Sequence, residues 1–160
     1  MTVYKDFCFR VGAVPRRLGT VRVVTGDKPA LQIATPAEFR NGLPGYWSPE
    51  DMLVGATAAC YVLTFRALAQ RRGVPFDDLE VTATGHVTRR ADGRFGFVLV
   101  ELQVSLTTDC EHEEAVTTVA HDAERGCIVG RALEVPVELE LDVRTSVPAS
   151  AELITATRRR

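Results

Sequence analysis

Two of the four cysteines in this 160-residue chain stand where a thiol could do chemistry. Cys60 lies in the middle of "SPEDMLVGATAACYVLTFRALAQRRG", from Ser48 to Gly73, and Cys127 lies in "AERGCIVGRAL", directly after Gly126. A single cysteine on an apolar helical stripe is ordinarily a small core residue, and Cys8 in the first stretch fits that description. Cys110, in "TTDCEHEE", sits among acids that oppose a lowered pKa and reads as a surface thiol. Cys127 is different, because a residue following a glycine at a helix end is expected to be mobile and reachable. Two cysteines on separate elements, one on a central helix and one at a joint, suit a disulfide relay. One thiolate attacks and becomes a sulfenic acid; the other condenses with it, releasing water and preventing over-oxidation. The attacking thiolate needs a nearby cation, since burial alone raises a thiol pKa, and arginine keeps its charge in an apolar site.

Other chemistries find little support. There is no C-x-x-C, and His86, His112 and His121 are scattered singly, so no metal site is expected. G-x-S-x-G, P-loop and dinucleotide-binding patterns are absent. A net charge of −2 gives no electrostatic ground for nucleic acid or an anionic membrane as a partner. No uncharged run reaches 18 residues, so no membrane span is expected, and no secretory signal is visible. A cytoplasmic location follows as the default, and in that reducing setting two structural disulfides are not expected.

The elements that must position the two thiols can be read in outline. Val3 to Val11 and Leu18 to Val24 are strand-like and are separated by "GAVPRRLG", read as a turn. "PALQIAT" is a third short strand. "PAEFRNGLPGYW" is a loop that starts with a helical turn. The long helix has Ser48 as its N-cap, Pro49 in its first turn and Glu50 and Asp51 against its positive end; Gly73 and Pro75 close it. Leu53, Ala56, Cys60, Leu63 and Ala67 form one apolar stripe with Cys60 in it, though the rest of the helix to Phe65 is almost as apolar. Such a helix should be wrapped by a sheet, packed on a second subunit, or both. "DLEVTATGHVTRR" and "FGFVLVELQVSL" alternate around "ADGR" as a hairpin. A polar helix from about Glu111 to Gly126 follows, and "EVPVELELDVR" is the last strand. The order predicts one α+β domain over 1–160 with an antiparallel sheet, a core of about 18–143 and a tail over 145–160.

"SPEDMLVGATAACYVLTFRALAQRRG" followed by "ERGCIVGRALEVPVELELDV" resembles the OsmC/Ohr family of thiol peroxidases, over about Leu18 to Val143. The specific part is the pair of motifs: Pro-Glu ten residues before the first cysteine, and a second cysteine before the segment leading into the last strand. The resemblance implies an intertwined homodimer whose curved sheets wrap the central helices. It implies reduction of organic hydroperoxides, with Cys60 as the peroxidatic thiol and Cys127 as the resolving one. The activating arginine corresponds to Arg17 in "RRLG", with Arg16 as a possible substitute, and the assisting carboxylate to Glu50. An external dithiol, possibly of the lipoyl type, recycles the disulfide, and no bound cofactor is required. The family usually has proline after the second cysteine; here Ile128 stands in its place, which bears on how Cys127 is presented.

Ten residues of helix put Glu50 roughly 15 Å from Cys60 and on a different face. Glu50 therefore either meets an arginine and the other subunit's cysteine at a dimer interface, or serves only the helix dipole. Leu43, Tyr46 and Trp47 are candidates for the wall of an alkyl pocket, and equally for anchoring their loop in the core. Two rival functions remain. One is a non-catalytic, redox-responsive protein that binds an apolar ligand. The other is an acyl-thioester hydrolase with Glu50 as base and the cysteines as packing.

Overall fold

In the computed structural model of the chain, residues 7–146 are described. The chain divides into two compact units, 1–53 and 54–160. The Arg-rich end of the tail and the first residues of the predicted first strand lie outside the described residues.

The first unit is built on a three-stranded antiparallel sheet, β1 (Gly12–Pro15), β2 (Thr20–Val24) and β3 (Leu31–Ala34), in that order. Its first strand corrects the reading of the sequence. Phe7 to Val11 form no regular element, and β1 falls in the segment read as a turn. β1 is an edge strand, and there a proline such as Pro15 costs no ladder bond. The reversal is tighter than expected, a single 3₁₀ turn at Arg17–Gly19 in which Leu18 has φ 61° and Gly19 φ 75°. Glycine accepts that left-handed backbone freely, whereas a side chain as large as leucine rarely does. No helical turn opens the loop that follows β3; it makes successive turns, and its end pairs Trp47 with Ile33 in an isolated bridge.

The long helix, α1 (Pro49–Arg72), starts where predicted. Ser48 Oγ accepts from the Asp51 amide at 3.0 Å while Asp51 Oδ2 accepts from the Ser48 amide at 2.8 Å, so the acid completes a reciprocal cap as well as opposing the dipole. Gly73, with φ 66°, ends the helix in the left-handed conformation favoured there. By length and composition α1 is apolar enough to cross a bilayer, with mean hydropathy 1.6. Its Thr57, Tyr61, Phe65 and Ala69 are instead buried in protein.

The second unit surrounds that face. β4 (Asp78–Arg89) and β5 (Phe95–Thr108) form the predicted hairpin, with a register shift between His86 and Val87. β6 (Val137–Thr145) lies on the other side of β5 and runs parallel to it. The expectation of an antiparallel sheet is thus corrected to a mixed one. The reason is the connection: α2 (Glu113–Gly126) and the short α3 (Ile128–Arg131) carry the chain back across the sheet, and a crossover of this kind returns the next strand in the same direction.

The core lies between α1, α2 and the sheet. Tyr61, Phe65 and Ala69 pack with Val116, Val119, Ala120 and Ala123 of α2 and with Leu102, Val104 and Leu106 of β5. The α2 residues recur at the three-four spacing of one helical face. Tyr61 donates to the Ala120 carbonyl at 3.2 Å, joining the two helices, and Phe65 meets Phe76 edge-on with centroids 5.1 Å apart. Gly85 is required by close packing: a Cβ there would lie 2.5 Å from Val54 Cγ2 and 2.6 Å from the Phe97 ring. The buried stripe of α1 is therefore not the predicted one, because Ala56, Leu63 and Ala67 are exposed. An apolar pattern on every side of a helix does not choose a face, and the partner elements do. Truncating the central ring, Phe65→Ala, is expected to cost about 3–5 kcal/mol, read as a lower urea midpoint at unchanged m-value.

A candidate dithiol site

The joint between α2 and α3 is where a polar helix ends against an apolar one. α2 stops at Gly126, and a Cβ at that position would come within 3.2 Å of Thr64 Cγ2 on α1. Cys127 then turns extended, with φ −67° and ψ 109°, and becomes the N-cap of α3. Its Sγ accepts from the Gly130 amide at 3.3 Å and lies 3.9 Å from the Thr57 carbonyl.

The expected roles of burial are reversed. Cys127, read as a mobile and reachable thiol, is buried at 2% exposure, while Cys60, read as the buried one, is only half-buried. Both sulfurs are free thiols. Cys60 lies one turn along α1 from Thr57, on the flank left open by the Thr57–Tyr61–Phe65 stripe.

The two thiols differ in acidity as well. Burial by itself raises the Cys60 thiol, but the Val129 amide, the Cys127 thiol, the Ile128 amide and the Thr64 hydroxyl all favour its anion and carry it below the ordinary range. Cys127 is pushed up, first by burial, which the Gly130 amide opposes, and then by its bond and proximity to the Cys60 sulfur. The pair thus contains a more acidic, more accessible thiol and a less acidic, buried one. Such an arrangement can attack an electrophilic oxygen or sulfur and close a disulfide. Within this unit the stabilising groups are neutral hydrogen-bond donors.

The structure brings together Cys60 and Cys127, and places the other expected site residues in the first unit. Arg17 is exposed in the 3₁₀ turn and, with Arg16 and Arg22, lines a basic depression of about 560 Å³. Glu50 is in the first turn of α1, and its Oε2 is buried with no hydrogen-bond partner among the described residues. α1 is unbroken from Pro49 to Arg72, so its ten-residue spacing from Cys60 is kept. Leu43 is half-buried, while Tyr46 and Trp47 are exposed, Trp47 at 60%. His86 pairs with Glu101 at 2.6 Å across the hairpin. Among the described residues no group of three or more His, Cys, Asp or Glu side chains is placed to hold a metal ion.

The sequence reading missed the backbone donors of Ile128, Val129 and Gly130, because amides leave no mark in residue type.

A helix carrying a half-buried thiol, and a buried second thiol at the crossover into a parallel strand, define an α+β dithiol protein. The family model for OsmC-like proteins matches residues 42–142, and the chain belongs to that family. An uncharacterized protein of Bacillus subtilis, YmaD, is 29% identical over 132 residues, covering 80% of this chain and 87% of that protein. Among solved structures, an OsmC-like protein of unknown function from Vibrio cholerae superposes with a TM-score of 0.74 at 14% identity, over 85% of this chain and 99% of that one. An organic hydroperoxide resistance protein from Elizabethkingia anophelis gives 0.72 at 17% identity, over 90% and 100%.

The acidity difference has a direct readout. In the reduced protein Cys60 is expected to be alkylated by iodoacetamide with a midpoint below that of a free cysteine, and Cys127 more slowly with a midpoint above it. Cys127→Ala removes a donor to the Cys60 anion, so the Cys60 midpoint should rise. Peptide mass mapping across pH 5–10 measures both.

Proposed function

We propose that this chain is a cysteine-based peroxidase that reduces organic hydroperoxides to alcohols. The observation that carries the reading is the placement of two free thiols together, Cys60 half-buried on α1 and Cys127 buried against the same stretch of that helix, with opposite shifts in acidity. Family membership supports it, as does the likeness of fold to an organic hydroperoxide resistance protein.

The Cys60 thiolate attacks the distal oxygen of the hydroperoxide. The O–O bond breaks, the alkoxide takes a proton and leaves as the alcohol, and Cys60 is left as a sulfenic acid. The Cys127 sulfur then attacks the Cys60 sulfur, the S–S bond forms, and the S–O bond breaks with loss of water. An external dithiol, of lipoyl or similar type, supplies two electrons and two protons to restore both thiols and leaves as its own disulfide. A reducing cytoplasm is the compartment that suits this cycle.

In this reading one OsmC-like domain works as a homodimer. Leu63 at 65% exposure, with Ala56, Ala59 and Ala67, leaves α1 with an apolar flank that a second copy would cover. The partnerless Glu50 oxygen is then met by an arginine at the interface. Arg17, or its neighbour Arg16, supplies the positive charge beside the reacting sulfur, and Leu43, Tyr46 and Trp47 wall the space for the alkyl chain. Light scattering on the purified protein should give twice the mass of one chain, and Leu63→Glu should shift it toward one.

The decisive assay supplies reduced protein and a dithiol with cumene hydroperoxide and hydrogen peroxide in parallel. Wild type should consume the organic peroxide faster. Cys60→Ser should fall to the dithiol blank, and Cys127→Ser should keep a rapid first turnover but slow at resolution. Arg17→Ala should lower kcat/KM about tenfold or more. Wild-type consumption no greater than the blank would leave a redox-responsive binding protein instead.

A further inference from the structure

The net charge of −2 conceals a segregation of charge along the chain. From Phe7 to Ala34 there are five basic side chains, Arg10, Arg16, Arg17, Arg22 and Lys28, against one acidic side chain, Asp27. Arg16, Arg17 and Arg22 line one depression on the first sheet together with Leu18 and Gln32. Among the described residues none of these three arginines is in an ion pair. Their convergence is built by hydrogen bonds. Thr20 Oγ1 donates to the Arg17 carbonyl at 3.2 Å, and the Gln32 side-chain amide donates to Thr20 Oγ1 at 3.0 Å. The Arg16 amide donates to the Thr20 carbonyl at 2.8 Å, and Thr20 is itself buried, so the turn is pinned to β2 and β3. Arg22 lies on the middle strand opposite Val14 on β1 and Gln32 on β3, and the three share one face.

Leu18 is the residue that the turn does not explain. It holds φ 61° and ψ 28°, which glycine or asparagine accepts readily, and its side chain is 88% exposed. A strained leucine with most of its surface in water is a group kept for contact with something outside the unit. Val14, on the face of Arg22, is also exposed. Apolar side chains ringed by unpaired arginines suit an anionic lipid surface, where phosphates meet the cations and the apolar groups enter the layer beneath. We propose that this face of the first sheet docks on an anionic phospholipid bilayer, with Arg22 and the Arg16–Arg17 turn at the head-group phosphates and Leu18 in the interfacial layer. The same patch on a second copy is a poor occupant, because like charges would meet across a two-fold axis. If one member of the Arg16–Arg17 pair serves the reacting sulfur, the other and Arg22 remain for the head groups. The surface stands without the peroxidase reading, which only adds a use for it, access to hydroperoxides formed on bilayer lipids.

The test is flotation of the full chain with vesicles of phosphatidylcholine alone or mixed with phosphatidylglycerol, at low and high salt. Wild type should float with the mixed vesicles at low salt, and neither with phosphatidylcholine alone nor at high salt. Arg22→Glu should weaken the binding roughly thirtyfold, as two units of charge lost beside an anionic leaflet imply. Leu18→Asn keeps a residue that tolerates the left-handed turn and should weaken it roughly threefold to tenfold. Arg144→Glu changes the net charge equally on the second unit and should leave binding close to wild type. Urea midpoints check that each variant is folded. Absence of wild-type binding to the mixed vesicles would overturn the dock. So would an Arg144→Glu loss as large as that of Arg22→Glu, since net charge and not this face would then be responsible. Release by inorganic phosphate far beyond that by sodium chloride of equal ionic strength would assign the depression to free phosphate instead. A lower mass by light scattering for Leu18→Asn without vesicles would assign the leucine to a second copy and overturn its part. Vesicle binding as described, with no peroxide consumed, would defeat the peroxidase reading and leave the dock standing.

Discussion

Cys127 Sγ is lodged between an amide of its own short helix and a carbonyl of α1, and the arrangement of the joint follows from that lodgement. A sulfur that caps α3 while touching α1 fixes where α2 must stop and where the next amides begin. Without it the 127–130 segment would be a loose link between two helices, and Cys60 would be an ordinary thiol on an exposed flank. Burial of the second sulfur thus creates the chemistry of the first. The cost is carried by Cys127, which is held protonated in a place that disfavours its anion.

Asymmetry between two identical functional groups arises here from neutral groups among the described residues of the second unit. Burial raises both sulfurs, but at Cys60 several donors outweigh it, whereas at Cys127 it prevails with the help of the neighbouring sulfur. The direction of each shift follows from that inventory. Neutral donors have a further property: they are little affected by salt, in contrast to a surface ion pair such as Arg72 with Asp122.

Much of the framework was legible in the sequence. The start and stop of α1 and the β4–β5 hairpin carry local signals, namely a cap and a turn, and α2 was read as a polar helix close to its observed bounds. Three features were not legible. β1 lies where Pro15 and Gly12 read as turn, because an edge strand needs no donor on its outer side. The parallel pairing of β6 is a property of the crossover, and no strand records the direction of its neighbour. The burial of Cys127 and exposure of Cys60 were inverted because α1 is apolar all round, so its pattern could not say which side the core would take. The identities of the two thiols were readable; their surroundings are set by tertiary contact.

The parallel pairing has a consequence in time. β5 and β6 meet across long sequence separations, as Val100 with Val137, and the intervening crossover is the segment that carries Cys127 to α1. Contacts of that range are among the last that a chain can close. Cys127 follows Cys60 by 67 residues, so the contact between the two elements closes a long loop. The groups that lower Cys60 therefore come from the crossover, far along the chain from the helix that bears the sulfur.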